Sequence, residues 1–286
     1  MQIQVFLPSL WSEYDLLDSG DGRRLERFGR FVFDRPDPGA IWPKGSPRIW
    51  TKADAYYDNE SKRWQSLPKL PESWTIRYHD LVIKVRPTPF KHLGVFPEQL
   101  VNWEFIEQKI KEARREVKIL NLFGYTGVAT LVAAKAGARV CHVDASKPAL
   151  TWAHENAKLS AVSEGKIRWI LDDARKFVQR EVRRGVKYDG IVMDPPVFGH
   201  GPSGAALDFN CDFPGLLANC VKLLTPKPLF IIVNAYAVSM SALSLGNALT
   251  SAVGGLAGRV EAGELVLVEK NSKRQLSTGI LARWSV

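Results

Sequence analysis

From Val117 onward, short apolar runs alternate with longer segments of helical periodicity, and this alternation restricts the fold more than any other feature of the chain. The apolar runs fall at 117–123, 139–144, 167–171, 190–193 and 229–234. The helical segments between them fall at 127–136, 147–160, 175–184 and 213–223. Strands separated by crossover helices imply a parallel sheet covered on both faces. A helix over 104–115, with Phe105, Ile106 and Ile110 on one side, precedes the first strand. After the last parallel strand, 239–252 reads as helix. Residues 259–268 and 276–284 then read as an antiparallel hairpin turning at Asn271-Ser272-Lys273. The predicted class is α/β: a Rossmann-like sheet ending in an antiparallel hairpin.

Residues 1–88 differ in composition. They carry short alternating runs such as Arg30-Phe31-Val32-Phe33, separated by turn signals at Asp18-Ser19-Gly20-Asp21-Gly22 and Arg35-Pro36-Asp37-Pro38-Gly39. They read as a small β-rich domain with a substrate-recognition role, ahead of an α/β domain over 89–286. Within it Arg23, Arg24, Arg27, Arg30, Arg35, Lys44 and Arg48 interleave with Trp42, Trp50, Tyr56, Tyr57 and Trp64. Cations among aromatics suit a single-stranded RNA surface. A solvated face with ordinary core aromatics is the competing explanation. The formal net charge of +9 also favours a polyanionic partner.

The three cysteines, Cys141, Cys211 and Cys220, lack metal-ligand spacing and are too few for a disulfide scaffold. No metal is expected. The first residues lack a signal-peptide pattern, and the most apolar stretch, 229–237, is too short to span a membrane, so a cytoplasmic protein is expected.

In an open parallel sheet, ligands bind beyond the carboxyl ends of the strands at the switch point. The strand ends here carry chemistry. The first runs into Phe123-Gly124-Tyr125-Thr126-Gly127, a tight turn whose helix offers unpaired N–H groups to a carboxylate. This is not the dinucleotide fingerprint, so a nicotinamide enzyme is a distant alternative. The second strand ends on Asp144, 20 positions after Gly124, a spacing that suits an acid holding a ribose diol. The third ends in Asp172-Asp173-Ala174, where an acid can accept from an adenine amine. Helix capping is the alternative at both acids, with Ser146 a rival cap for the helix after Asp144.

The fourth strand lies in Tyr188-Asp189-Gly190-Ile191-Val192-Met193-Asp194-Pro195-Pro196. A carboxylate and a proline-stiffened carbonyl at a strand end can accept both N–H bonds of an exocyclic amine and favour its nucleophilic form. Phe198 is the candidate to stack on a flipped base, and His200 sits in a glycine-rich loop able to close over substrate.

As a set these residues resemble class I S-adenosylmethionine-dependent methyltransferases, in particular the branch of bacterial large-subunit ribosomal RNA cytosine-C5 and guanine-N7 enzymes. The resemblance rests on Asn121 to Gly127, Val143-Asp144-Ala145-Ser146, Asp172-Asp173-Ala174 and Asp194-Pro195-Pro196-Val197-Phe198, and covers about residues 85–286. Upstream, Lys91-His92-Leu93-Gly94-Val95-Phe96-Pro97-Glu98-Gln99 is similar to that branch's cofactor-contacting segment, with His92 and Leu93 departing from it. The resemblance implies S-adenosylmethionine as cofactor. It places Phe96, Gln99, Asn121, Phe123, Gly124, Tyr125, Thr126, Gly127, Asp144, Ala145, Ser146, Asp173 and Ala174 against it, and Asp194, Pro195, Pro196 and Phe198 at the reacting base.

Cytosine-C5 transfer needs a cysteine that attacks the ring. Enzymes of this branch place it just after the fifth strand, where this chain has Asn234-Ala235-Tyr236. The expectation is therefore methyl transfer to a base nitrogen of RNA, ribosomal RNA first. A protein or small-molecule methyltransferase and a non-catalytic RNA-binding protein on this fold are the alternatives. Oligomeric state is not encoded in any of these motifs.

Overall fold

The computed structural model describes residues 2–66, 70–196, 198–200 and 206–286, with only the backbone at 198–200 and 206–207. The chain forms two compact units. One comprises Met1–Phe6, Val101–Leu265 and Gly279–Val286; the other comprises Leu7–Leu100 and Val266–Thr278.

In chain order, β1 (Ile3–Phe6) is followed by β2 (Tyr14–Gly20), β3 (Arg23–Phe28), β4 (Phe31–Pro36), the single-turn α1 (Pro47–Trp50), β5 (Ala55–Asp58) and β6 (Arg63–Ser66). The hairpin β7 (Trp74–Tyr78) and β8 (Leu81–Val85) and a short 3-10 helix, Pro97–Gln99, lead into α2 (Leu100–Ala113). The alternating part then runs β9 (Lys118–Leu122), α3 (Val128–Lys135), β10 (Arg139–Asp144), α4 (Lys147–Leu159), β11 (Ile167–Leu171), α5 (Ala174–Arg183) and β12 (Gly190–Met193). A small hairpin, β13 (Phe198–His200) and β14 (Ala206–Asp208), precedes α6 (Phe209–Lys222), β15 (Phe230–Ala235), α7 (Ala242–Ala252), β16 (Arg259–Val268) and β17 (Gln275–Ser285).

The first unit is built on a sheet of order β1-β16-β17-β15-β12-β9-β10-β11. Strands β11, β10, β9, β12 and β15 are parallel, and β17 runs antiparallel to β15. Side chains alternate between two cores, as a strand's period of two requires. Leu120, Leu122, Cys141, Val143, Ile191 and Met193 face the core shared with α5, α6 and α7. Ile119, Val140, Val192 and Phe230 face the core shared with α2 and α3. Crossovers from β9 through β10 to β11 go one way, and β12 returns to the other side of β9. The ends of β9, β10 and β12 thus form the switch point.

Two details depart from the sequence expectation. Strand β1, read with the N-terminal β-rich segment, instead pairs in parallel with Ala262 to Leu265 of β16. Helix α6 starts at Phe209 rather than near Phe213, because Asp208 caps it by accepting from the Cys211 amide, and Pro214 lies inside it. No helix among the described residues is long and apolar enough to cross a membrane.

The second unit holds a five-stranded sheet, β2-β3-β4-β5-β6, and the β7-β8 hairpin. Four of its arginines serve ion pairs within the sheet. Glu26 is fully buried; it accepts from Arg35 Nε at 2.7 Å and Tyr14 Oη at 2.8 Å and lies 3.1 Å from Arg24 Nε. Burial acts to raise the Glu26 carboxyl, but the two guanidiniums and the tyrosine outweigh it and hold it below the usual carboxylate range. Arg23 pairs with Asp34 and Arg27 with Asp15. Trp50 and Tyr57 are buried; Trp42 and Trp64 donate their indole N–H to the Ser19 and Thr88 carbonyls. Arg30, Lys44, Arg48 and Tyr56 keep access to solvent. Of this set, Arg23, Arg24, Arg27 and Arg35 are thus paired with acids, and Trp50 and Tyr57 are core.

Candidate active site

Strand β9 ends because Phe123 turns into the left-handed region, at φ 57°, followed by Tyr125 at φ 50° and Gly127 at φ 85°. Left-handed non-glycine residues each cost about 1–3 kcal/mol, and such strain gathers at functional sites. The turn is pinned from several sides. Gly124 N donates to the Val143 carbonyl at 3.2 Å, Gly127 N to the Gly124 carbonyl at 2.9 Å, and Asn156 Nδ2, from α4, to the Thr126 carbonyl at 2.9 Å.

Gly124 is glycine for an intramolecular reason. A Cβ there would lie 2.4 Å from Cε1 and 2.5 Å from Nδ1 of His142, whose ring lies directly beneath the turn. His142 is wholly buried on β10, with its Nδ1 2.9 Å from Thr130 Oγ1. Thr130 Oγ1 also accepts from Asn121 Nδ2 at 2.8 Å. The Nε2 of His142 has no hydrogen-bond partner among the described residues, and the ring lies 4.9 Å between centroids from that of Trp169. Burial, with His154 adding to it, pushes the His142 pKa down to about 3, so this prop stays neutral. Asn121 is thus a buried brace beneath the turn. His142 and Thr130 were not singled out from sequence. The available signal was polar residues on the same face of two adjacent apolar strands, since Asn121 and His142 are register partners.

Asp144 ends β10 half-buried. Its Oδ2 accepts from the Tyr125 amide and its Oδ1 from the Ser146 amide, both at 2.8 Å. Burial raises its carboxyl above the ordinary value against the lowering by those two amides. Ser146, not Asp144, caps α4, accepting from Ala149 N at 3.3 Å. Ala145 lies between them, half-buried. A carboxylate has about four acceptor sites, so two remain on Asp144.

Asp173, at the end of β11, does take the capping role: it accepts from Lys176 N at 3.1 Å and from Arg175 at 3.2 Å. Only 6% of it is exposed, and Ala174 behind it is buried. Asp172 is paired with Arg180.

Asp194 follows β12 directly and is half-buried; Pro195 is buried and Pro196 exposed. Met193 and Val143 are both register partners of Leu122, so Asp194 and Asp144 flank Phe123 from opposite sides. Strand spacing puts these two chain positions roughly 10 Å apart. The side chains of Phe198 and His200 lie outside the described residues, as does Val197. At the end of β15, Asn234 accepts from Asn102 Nδ2 at 2.9 Å, and Ala235 and Tyr236 follow. Cys141 and Cys220 are buried, with the Cys141 thiol pushed up to about 11 by burial; Cys211 is exposed at the start of α6. Phe96 and Gln99 belong to the second unit. Both are half-buried, with the Phe96 ring 5.2 Å from that of His92.

No family model matches the chain. A solved structure of a SAM-dependent methyltransferase from Agrobacterium tumefaciens is 41% identical, covers 99% of this chain and 93% of its own, and superposes with a TM-score of 0.94. The chain belongs to the S-adenosylmethionine-dependent methyltransferases. A SAM-dependent methyltransferase structure from Streptococcus mutans, 16% identical over 97% of this chain and 76% of its own, shares the fold with a TM-score of 0.75. Among curated proteins, the ribosomal RNA large subunit methyltransferase K/L of Syntrophotalea carbinolica is 31% identical over 178 residues, 62% of this chain. The chain spans about a quarter of that relative's length, at 24%.

The methyltransferase uses S-adenosylmethionine as its cofactor. If His142 sets the height of the glycine turn, Gly124→Ala lowers stability by about 1–3 kcal/mol, the usual cost of overpacking. His142→Ala removes the obstructing ring. The double variant is then expected to be clearly more stable than the sum of the two single losses, in a thermal-unfolding cycle. Strict additivity would show that the two residues do not press on each other.

Proposed function

We propose that this methyltransferase modifies a base nitrogen of RNA, with ribosomal RNA as the first candidate. The observation that carries the reading is Asp194-Pro195-Pro196 at the end of β12, beside the pinned turn after β9, together with the absence of cysteine at the end of β15. The similarity to ribosomal RNA large subunit methyltransferase K/L supports the RNA class and, with it, a cytoplasmic location.

S-adenosylmethionine supplies an electrophilic methyl group. The remaining acceptor sites of Asp144 suit a ribose diol, the turn 123–127 and Ala145-Ser146 frame the cofactor's bed, and Asp173-Ala174 border the adenine end. We assign Phe96 and Gln99 to the cofactor on the resemblance alone. Across the switch point, Asp194 and the Pro195 carbonyl accept the two N–H bonds of an exocyclic amine, so its lone pair points at the methyl group. The nitrogen–methyl bond forms as the sulfur–methyl bond breaks, and Asp194 can take the proton the amine then sheds. A ring nitrogen such as guanine N7 already has a free lone pair and needs only to be placed in line. Phe198 is the proposed stacking partner.

The test incubates the purified protein with methyl-labelled S-adenosylmethionine and, separately, unmodified ribosomal RNA, a protein extract and a small-molecule extract. Label in the RNA is expected; label confined to protein or small molecules would replace this reading.

A further inference from the structure

We propose that the outer face of α5, extended by Arg168 of β11, is the surface that grips the phosphate backbone of RNA. The proposal rests on the RNA reading above and adds where the chain is held.

The segment 174–187 contains six cations and one acid, and so carries five of the chain's nine net positive charges. The acid, Glu181, is fully buried. It accepts from Tyr188 Oη at 2.7 Å, and lies 3.6 Å from Arg168 and 3.3 Å from Arg184. These two arginines are tethered at one nitrogen while their side chains stay 53% and 58% exposed. The guanidiniums of Arg168 and Arg180 also sit 5.7 and 6.0 Å from the Phe177 ring centre, which restrains them further. Arg183 and Lys187 are exposed beside them. The row is therefore partly pre-ordered, which lowers the entropy cost of holding an anion.

Helix stability alone does not account for this distribution. The macrodipole favours cations only in the last turn. Lys176 stands exposed in the first turn, where that field opposes it, and Arg168 is not on the helix at all. A basic helix can instead lie on an anionic membrane, but that mode needs a free apolar face. The apolar side of α5, Phe177 and Val178, is already in the core. In the second unit Arg35, Arg23 and Arg27 pair with Glu26, Asp34 and Asp15. Along α5, Arg175 pairs with Asp173 and Asp212 and Arg180 with Asp172, while Lys176, Arg183 and Lys187 stay exposed. Helix α5 is capped by Asp173, at the end of β11, and its ten residues rise about 15 Å.

The test uses the full-length protein and a fluorescein-labelled single-stranded RNA 20-mer of mixed sequence, roughly the span of one or two site sizes. Affinity is measured against potassium chloride concentration. The variant R183Q/R184Q/K187Q is compared with R48Q/K52Q/R63Q, which removes the same charge from the second unit. S-adenosylmethionine affinity by calorimetry is expected to match wild type in both and reports folding. The double variant R183Q/K187Q leaves the partners of Glu181 intact and replaces the triple if that one does not fold. Three lost phosphate contacts lower the salt slope by about 2 and the affinity at 0.1 M salt on the order of 100-fold. The comparison variant is expected to stay within a few-fold of wild type. Equal effects of the two variants, with wild-type RNA binding intact, would overturn the surface and leave the RNA reading standing. Wild-type protein with no salt-dependent RNA binding would overturn both. Binding of the wild type to anionic vesicles but not to RNA would assign the face to membranes instead.

Discussion

Replacing Asp194 by alanine is expected to slow methyl transfer to an amine about 100-fold, while S-adenosylmethionine still binds within a few-fold of wild type. The loss corresponds to about 2.7 kcal/mol of transition-state stabilisation. An exocyclic amine is a poor nucleophile until its lone pair is withdrawn from the ring, and the pyramidal form is stabilised only if both N–H bonds are accepted. The Pro195 carbonyl survives the substitution and the Asp194 carboxylate does not. Effects of this size are usual for a lost hydrogen-bonding or proton-accepting group at the reacting centre. Single-turnover rates at saturating cofactor, set beside calorimetry, separate transfer from binding. A rate lowered less than threefold would remove Asp194 from the chemistry and direct attention to a ring nitrogen that needs no acceptor.

Asp144→Ala has the complementary effect. It removes the acceptor for the amides of Tyr125 and Ser146, so it loosens both the turn after β9 and the start of α4 as well as the proposed diol contact. Hydrogen bonds to a charged group contribute about 1.5–3 kcal/mol each. A loss of S-adenosylmethionine affinity of about 100-fold or more is therefore expected by calorimetry, and Asp144→Asn, which keeps one acceptor oxygen, falls between. Burial raises the Asp144 carboxyl above its ordinary value. Affinity that depends on the ionised form is present above that raised pKa and declines as pH falls through it, starting at a higher pH than for an exposed aspartate near 3.9, by about the amount of the shift. Unchanged affinity in the alanine variant would place the cofactor elsewhere.

The parallel core was legible because each strand end is marked locally: Gly190 to Met193 stops at Asp194 before two prolines, and β10 stops at Asp144 before a capping serine. Strand β1 was not legible in this role, because its partner, Ala262 to Leu265, lies at the far end of the chain and nothing in four residues names it. The function of His142 was hidden for a related reason. It reads as an interruption of an apolar strand until Gly124 is folded over it. The arginines of β3 and β4 show what composition leaves out. Composition counts cations, but only register shows that Glu26, Asp34 and Asp15 stand close enough to consume them. Outward charge is also dense along α5, where Arg168 and Arg184 flank the buried Glu181 and Lys176 and Arg183 are exposed.

The most direct measurement of the central claim is nucleoside mass spectrometry of unmodified ribosomal RNA after reaction with S-adenosylmethionine and the purified protein. The expected result is one new methylated nucleoside carrying its methyl group on a base nitrogen, formed by the wild type and strongly reduced with Asp194→Ala. A methyl group on C5 of a pyrimidine, or no methylated nucleoside from protein that binds S-adenosylmethionine, would contradict the account.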